Sequence, residues 1–171
     1  IYTDFNNKAN ERQKNMAYIK TEEVSAIRNE LKKRFGHTGL KFGVRKMHHS
    51  SVHVTIKAGP VDFSDLYKGH YGSGDHYAQI NVYHLDNYGK HQPLFEEILK
   101  IIKTAPALAE GGREWFDKSD AMTDYFHTAF YINLNVGEYD KPYVYNGKKA
   151  EYDPNGLPLN FTDRYHVEEV A

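Results

Sequence analysis

The sequence predicts an α+β fold: two layers, with a four- or five-stranded, mainly antiparallel sheet and two helices packed on one of its faces. Three observations predict it. Residues 40–60 hold two runs that alternate apolar and polar, residues 21–36 repeat apolar side chains at spacings of three and four, and residues 93–106 do the same with a broader stripe. Strand pairs and helices that are each apolar on one side bury those sides most simply against one another.

Residues 1–17 are polar after Ile1, Tyr2 and Phe5 and read as an N-terminal arm or frayed helix. Thr21 then stands as the N-cap of a helix with Glu22 and Glu23 in its first turn. Its stripe is Val24, Ile27, Leu31 and Phe35, its outer face carries Arg28, Lys32 and Lys33, and Gly36 closes it. A β-hairpin follows. Leu40, Phe42 and Val44 alternate with Lys41, Gly43 and Arg45; Val52, Val54, Ile56 and Ala58 alternate with Ser51, His53, Thr55 and Lys57. One face of the pair is aliphatic and the other basic.

Gly59-Pro60 ends the hairpin, and the stretch that follows, with Gly69, Gly72 and Gly74 among tyrosines, reads as a long loop. Alternation resumes from Tyr77 to Tyr83, with Ala78, Ile80 and Val82 on the core side. Pro93 opens a second helix through Leu94, Phe95, Ile98, Leu99, Ile101, Ile102 and Ala105. Residues 107–112 are a small-residue exit, and Ser119 or Asp120 caps a short turn. A fourth strand places Phe130, Ile132, Leu134 and Val136 inward and stops at Gly137; Tyr143–Tyr145 suggest a short edge strand. Pro154, Gly156 and Pro158 leave an extended tail. The organisation is an arm (1–17), one α+β domain (18–150) and a tail (151–171).

Composition narrows the function. The 171 residues are 40% hydrophobic and 14% aromatic, enough for one core, and the net charge of −1 gives no global field for coating nucleic acid, so any such surface is local. The absence of cysteine removes disulfides, thiolate metal sites and cysteine nucleophiles. No run suggests a membrane span, and residues 1–14 lack the apolar segment of a secretion signal. The expectation is a cytoplasmic protein, although Ile1 hints at a trimmed start. Asn160-Phe161-Thr162 fits a glycosylation sequon with nothing else to suggest secretion.

The block from Tyr18 to Pro60 resembles the opening of the large polyvalent protein-associated domain family, in which a capped helix leads to a strand and a second strand ends in Gly-Pro. The matching residues are Tyr18, Thr21, Glu23, Lys41, Phe42, Val44, Arg45, Val52, Val54, Gly59 and Pro60. A later block is similar through Asp124, Tyr125, Phe126, Tyr131, Gly137, Lys141 and Pro142. The hairpin turn, Met47 to Ser50, departs from the glycine- or serine-rich turn common there, and the glycine loop has no counterpart. The resemblance implies a setting: phages, plasmids and conjugative elements, in proteins suspected of accompanying or protecting incoming DNA. It carries over no catalytic residues.

For chemistry, three constellations compete. The histidines invite a metal site, but His49 and His53 on strands would lie about 13 Å apart. A site closes only if His48 or His49 meets His70, His76 or Asp75 from the glycine loop. Asp62, Asp65 and Asp75 would serve a metal-dependent nuclease or hydrolase, yet the acid and lysine that complete a nuclease signature are missing. The third is the open sheet face, with Lys41, Arg45, His53, Thr55 and Lys57 beside Tyr77, Gln79, Asn81, Tyr83, Tyr131, Asn133 and Asn135. Basic groups suit phosphates, tyrosines stack on bases or pack on a partner, and the fourteen tyrosines favour recognition over chemistry. The expectation is a non-catalytic binding module of a mobile genetic element, with no cofactor, contacting nucleic acid or a host or element protein through Lys41, Arg45, His53, Lys57, Tyr77, Gln79, Tyr83, Tyr131 and Asn133. The alternatives are the metal-dependent enzyme and an inhibitor that binds a host factor.

Overall fold

A computed structural model of the protein describes residues 17–67, 76–119 and 128–146. The arm before residue 17, the glycine loop at 68–75, the turn at 120–127 and the tail from 147 lie outside the described residues. Helix α1 spans Thr21–Phe35, strand β1 Lys41–Met47, β2 Ser51–Gly59, β3 Ala78–Ile80, helix α2 Gln92–Thr104, β4 Tyr131–Val136 and β5 Val144–Tyr145.

The α1 stripe is buried as its spacing requires: Val24, Ile27, Leu31 and Phe35 all face the core. Its start differs from expectation. Lys20, in extended backbone, holds the cap position, and the Glu23 carboxylate accepts the Lys20 N–H at 3.1 Å. Thr21 is already helical, because Glu23 is drawn inward and from there reaches back to the free amide. At the other end Gly36 stays right-handed; a single 3-10 turn follows, and Gly39 at φ +86° makes the left-handed reversal into β1.

β1 and β2 form the antiparallel hairpin, with Val44 opposite Val54 and Arg45 opposite His53. Its turn puts His48 and His49 at φ 52° and 62°, a region that histidine enters more readily than branched residues. The turn backbone is tied down: the His49 carbonyl accepts Ile19 N–H and the Ser50 carbonyl accepts Tyr131 N–H, both at 2.8 Å.

The sheet is mixed, in the order β1-β2-β4-β3. β4 lies parallel to β2, Val54 beside Leu134 and Ile56 beside Val136, while β3 runs antiparallel to β4. β5 also pairs parallel with β2, at Ala58 and Gly59. Since β1 occupies the other side of β2 at Ala58, β5 continues the lane of β4 after an excursion at 137–143. Gly137 starts that excursion at φ +67°, and a Cβ there would lie 2.5 Å from the Tyr143 nitrogen and 2.9 Å from the His76 carbonyl oxygen. Only glycine fits the corner.

Strand β3 is shorter than the alternation from Tyr77 to Tyr83 predicts. The Asn81 side-chain oxygen accepts Tyr83 N–H at 3.0 Å, and the Tyr88 hydroxyl accepts Asn81 N–H at 2.6 Å, so the chain turns out of the sheet after Ile80. The covered face presents Val44, Val54, Ile56, Leu134, Val136, Ala78 and Ile80 to the helices. Between them sit Phe63, Phe95 and Phe130, each fully buried and each contributing about 1.5–3 kcal/mol by removal from water. The other face, to which Arg45, His53, Thr55, Asn133, Asn135 and Gln79 belong by register, carries no helix among the described residues.

Candidate functional site: the uncovered sheet face

Register sets the layout of this face. Arg45, His53 and Asn133 stand abreast on β1, β2 and β4, and one pleat along, Gly43, Thr55, Asn135 and Gln79 cross all four strands. Of the sequence-predicted residues, Arg45, His53, Gln79 and Asn133 therefore converge. Tyr131 ends the β4 row beside Ser51, exposed.

Lys57 joins them by a different route. The hairpin register slips between Lys41 and Phe42, so that Phe42 faces Ile56 and Lys41 faces Ala58. Lys57 is left as the extra residue of a bulge, and its side chain lies back over β1. A Cβ on Gly43 would meet the Lys57 Cε at 2.5 Å and its Nζ at 3.2 Å. The missing side chain at Gly43 is where the lysine stem runs. The slip lies on β2, so Lys41 keeps its place in the β1 alternation with Gly43 and Arg45, opposite Ala58 beyond the bulge, and is exposed.

The excursion after β4 adds a residue that sequence reasoning did not assign to the face. Glu138 turns over it: its Oε1 accepts the Thr55 hydroxyl at 3.1 Å and lies 3.5 Å from an Arg45 nitrogen. Thr55, by alternation a solvent-side residue, is consequently only 4% exposed. The signal available was Gly137 followed by a Lys141-Pro142 return, which marks a corner without saying where Glu138 points. The corner is held by reciprocal backbone bonds between Glu138 and Lys141, at 2.9 and 3.1 Å. Beside it Asn135 Nδ2 donates to His53 Nε2 at 2.7 Å, and the buried His53 Nδ1 has no hydrogen-bond partner among the described residues. Burial pushes the His53 imidazole below its ordinary pKa, and the Arg45 guanidinium pushes the same way against the weaker opposing pull of Glu138. His53 is neutral at pH 7 and acts as a hydrogen-bonding group, not as a cation.

Two tyrosines are placed otherwise than expected. Tyr83 leaves the sheet with the turn after Ile80 and is 85% exposed beyond the strand end. There, with Gln79, Asn81, Ile132 and Asn133, it lines an open groove of about 300 Å³. Tyr77 precedes β3 and packs edge-on against Tyr139 of the excursion, ring centroids 6.1 Å apart.

The metal arrangement does not close among the described residues. His48 and His49 sit at the hairpin turn, whereas His76 precedes β3, whose Ala78 pairs with Val136 beside Ile56. At about 3.3 Å per residue, the five steps from Ser51 to Ile56 separate those ends by roughly 17 Å. No group of three potential ligands occurs among the described residues, and His70 and Asp75 lie outside them. The loop carboxylates are engaged locally. Asp62 accepts Ser64 N–H at 2.9 Å, a bond that lowers its pKa, and Asp65 accepts from Nε2 of the buried His91 at 2.8 Å. Tyr67, stacked on His76, has its hydroxyl pKa pushed up to about 12 by burial and by Asp62 and Asp65.

Compared with family models, with curated proteins and with solved structures, the chain finds no match. Its functional reading therefore rests on its own residues. No helix among the described residues is long and apolar enough to cross a membrane.

Proposed function

We propose that the protein is a non-catalytic binding module that engages single-stranded nucleic acid through the uncovered sheet face. The observation that carries this is the row of Arg45, His53 and Asn133 on adjacent strands, with Lys57 folded back beside it and Tyr131 exposed at its end. A flat surface of neutral hydrogen-bonding side chains suits the exposed edges of unpaired bases, the cations suit phosphates, and an exposed tyrosine offers a stacking plane. The engagement of Asp62 and Asp65 in local hydrogen bonds favours binding over a loop-carboxylate hydrolase. Membership of a mobile genetic element, and a cytoplasmic place of action, belong to the same proposal and rest on the resemblance of the helix–hairpin block.

The test is binding of a fluorescent oligothymidylate across a salt series. The expected result is an affinity that falls with salt and weakens at least tenfold in Arg45→Ala/Lys57→Ala, with a further loss in Tyr131→Ala. Absence of binding at low salt, or binding indifferent to the double substitution, overturns the proposal. Salt-insensitive capture of a protein through the Tyr83 groove would put a protein partner in its place.

A further inference from the structure

The contacts of Glu138 define a site more specific than a basic surface. Its carboxylate sits on the Thr55 hydroxyl at 3.1 Å and beside the Arg45 guanidinium at 3.5 Å. Gly43, directly opposite Thr55, supplies no side chain, and the Lys57 ammonium lies over it, 3.2 Å from where a Cβ would be. Two cations thus lie near one hydroxyl donor, Lys57 in the space that Gly43 leaves and Arg45 beside the carboxylate that Thr55 bonds. An oxyanion with more oxygens than a carboxylate could accept from all three donors together.

We infer that Arg45, Thr55 and Lys57 form a seat for a phosphodiester group, and that Glu138 occupies this seat in the free protein as a built-in substitute for the ligand. This rests on the nucleic-acid reading of the face and adds to it where the backbone is gripped and what guards the grip. Three features support the guard. Glu138 stands on a corner outside any strand, between Gly137 and Pro142, so it can leave without breaking the β2–β4 ladder. Its partner Arg45 has a side chain 58% exposed, and an ion pair open to water on one side exchanges more easily than an enclosed one. Finally, one carboxylate against two cations leaves the seat net positive and still attractive to an incoming anion. Glu138 then acts as a threshold. Weakly held anions do not displace it, while a strand fixed by base contacts elsewhere on the face does.

The experiment uses the full chain, with the thermal unfolding midpoint recorded for every variant. Two probes are titrated, a short oligothymidylate followed by anisotropy and inorganic phosphate followed by amide NMR shifts. Glu138→Gln keeps an acceptor for the Thr55 hydroxyl but removes the charge. It is expected to tighten the oligonucleotide three- to tenfold and to steepen its log–log salt dependence by about 0.7, the value of one more phosphate contact on a single strand. The gain should vanish in Arg45→Ala/Glu138→Gln. Gly43→Ala, which meets only the flexible end of Lys57, should leave the unfolding midpoint in place and weaken binding. If folded Glu138→Gln matches the wild type with both probes, the seat is overturned, while salt-dependent binding lost in Lys57→Ala would leave the wider face reading standing. If no variant binds the oligonucleotide, but phosphate shifts the Arg45 and Thr55 amides more strongly in Glu138→Gln, the seat stands and the nucleic-acid reading falls.

Discussion

Two of the arginine–glutamate pairs among the described residues, nearly equal in length, sit in opposite surroundings. Arg113 and Glu23 lie 3.4 Å apart with side chains 12% and 1% exposed; Arg45 and Glu138 lie 3.5 Å apart with side chains 58% and 27% exposed. Around the first, every neighbour helps to enclose it. Arg113 also donates to the carbonyls of Tyr18 and Ala129, and its guanidinium lies over the Tyr18 ring at 4.0 Å and the Trp115 ring at 5.6 Å. Glu23 meanwhile accepts the Lys20 amide that opens α1. This pair knots together the segment before α1, the segment after α2 and the entry to β4. The second pair has water on one side and a chain corner behind it. Burial and additional partners, not the ion-pair distance, separate the pair that holds the fold together from the one at the surface.

Removing one partner from each pair should separate the two most clearly. Glu23→Ala strands the Arg113 charge and the Lys20 amide out of water and should cost about 3–5 kcal/mol in denaturant unfolding. Should it cost under about 1 kcal/mol, the buried pair is no knot. An intermediate case is His91, buried against Phe63 and Phe95 and bonded to the half-exposed Asp65. Burial outweighs the Asp65 carboxylate and lowers the His91 pKa. The unfolded chain therefore takes up the proton first, so stability is complete above about pH 6.5 and is lost as the pH falls through the lowered value. Urea unfolding at stepped pH should show this decline, and His91→Leu should flatten it to the remainder owed to His53. Smaller still is Arg28→Ala. Arg28 donates to the Val44 carbonyl at 2.7 Å across the free edge of β1, and its removal should cost about 0.5–1.5 kcal/mol while uncovering that edge to self-association visible in light scattering. Least affected should be Glu138→Gln, within about 0.5 kcal/mol of the wild type by the same unfolding assay. A larger loss would make the exposed pair structural as well.

These elements differ in how far they could be read beforehand. The stripe of Val24, Ile27, Leu31 and Phe35 and the alternation of Val52, Val54 and Ile56 are local patterns, and both helices, the hairpin and β4 followed from them. What local patterns lack is a partner. Nothing in the spacing of Ile132, Leu134 and Val136 says that β4 lies parallel to β2, because direction is set by the crossover between them. The shortening of β3 was written in Asn81, a turn former in the middle of an alternating run, but alternation through Tyr83 outweighs one residue by count and not by hydrogen bonding. Within the candidate site, Arg45, His53 and Asn133 came from parity alone. Glu138, Gly43 and the folded-back Lys57 depend on a corner and a bulge, each of which re-aims side chains without a periodic trace.

The parallel pairing of β2 with β4 also bears on the order in which the molecule assembles. His53 and Asn135 touch across a separation of 82 residues, whereas the β1–β2 hairpin closes over a turn of three, His48 to Ser50. Chain-entropy cost favours the hairpin and α1 as early structure, with β4 sliding in beside β2 late, after α2 has begun to build the core. The uncovered face straddles this late seam: Arg45, Thr55 and Lys57 are on the early side, and Asn133, Asn135 and Glu138 on the other. A partly folded chain would therefore display the cations without their guard, and the regulated form of the surface exists only once the last strand has docked.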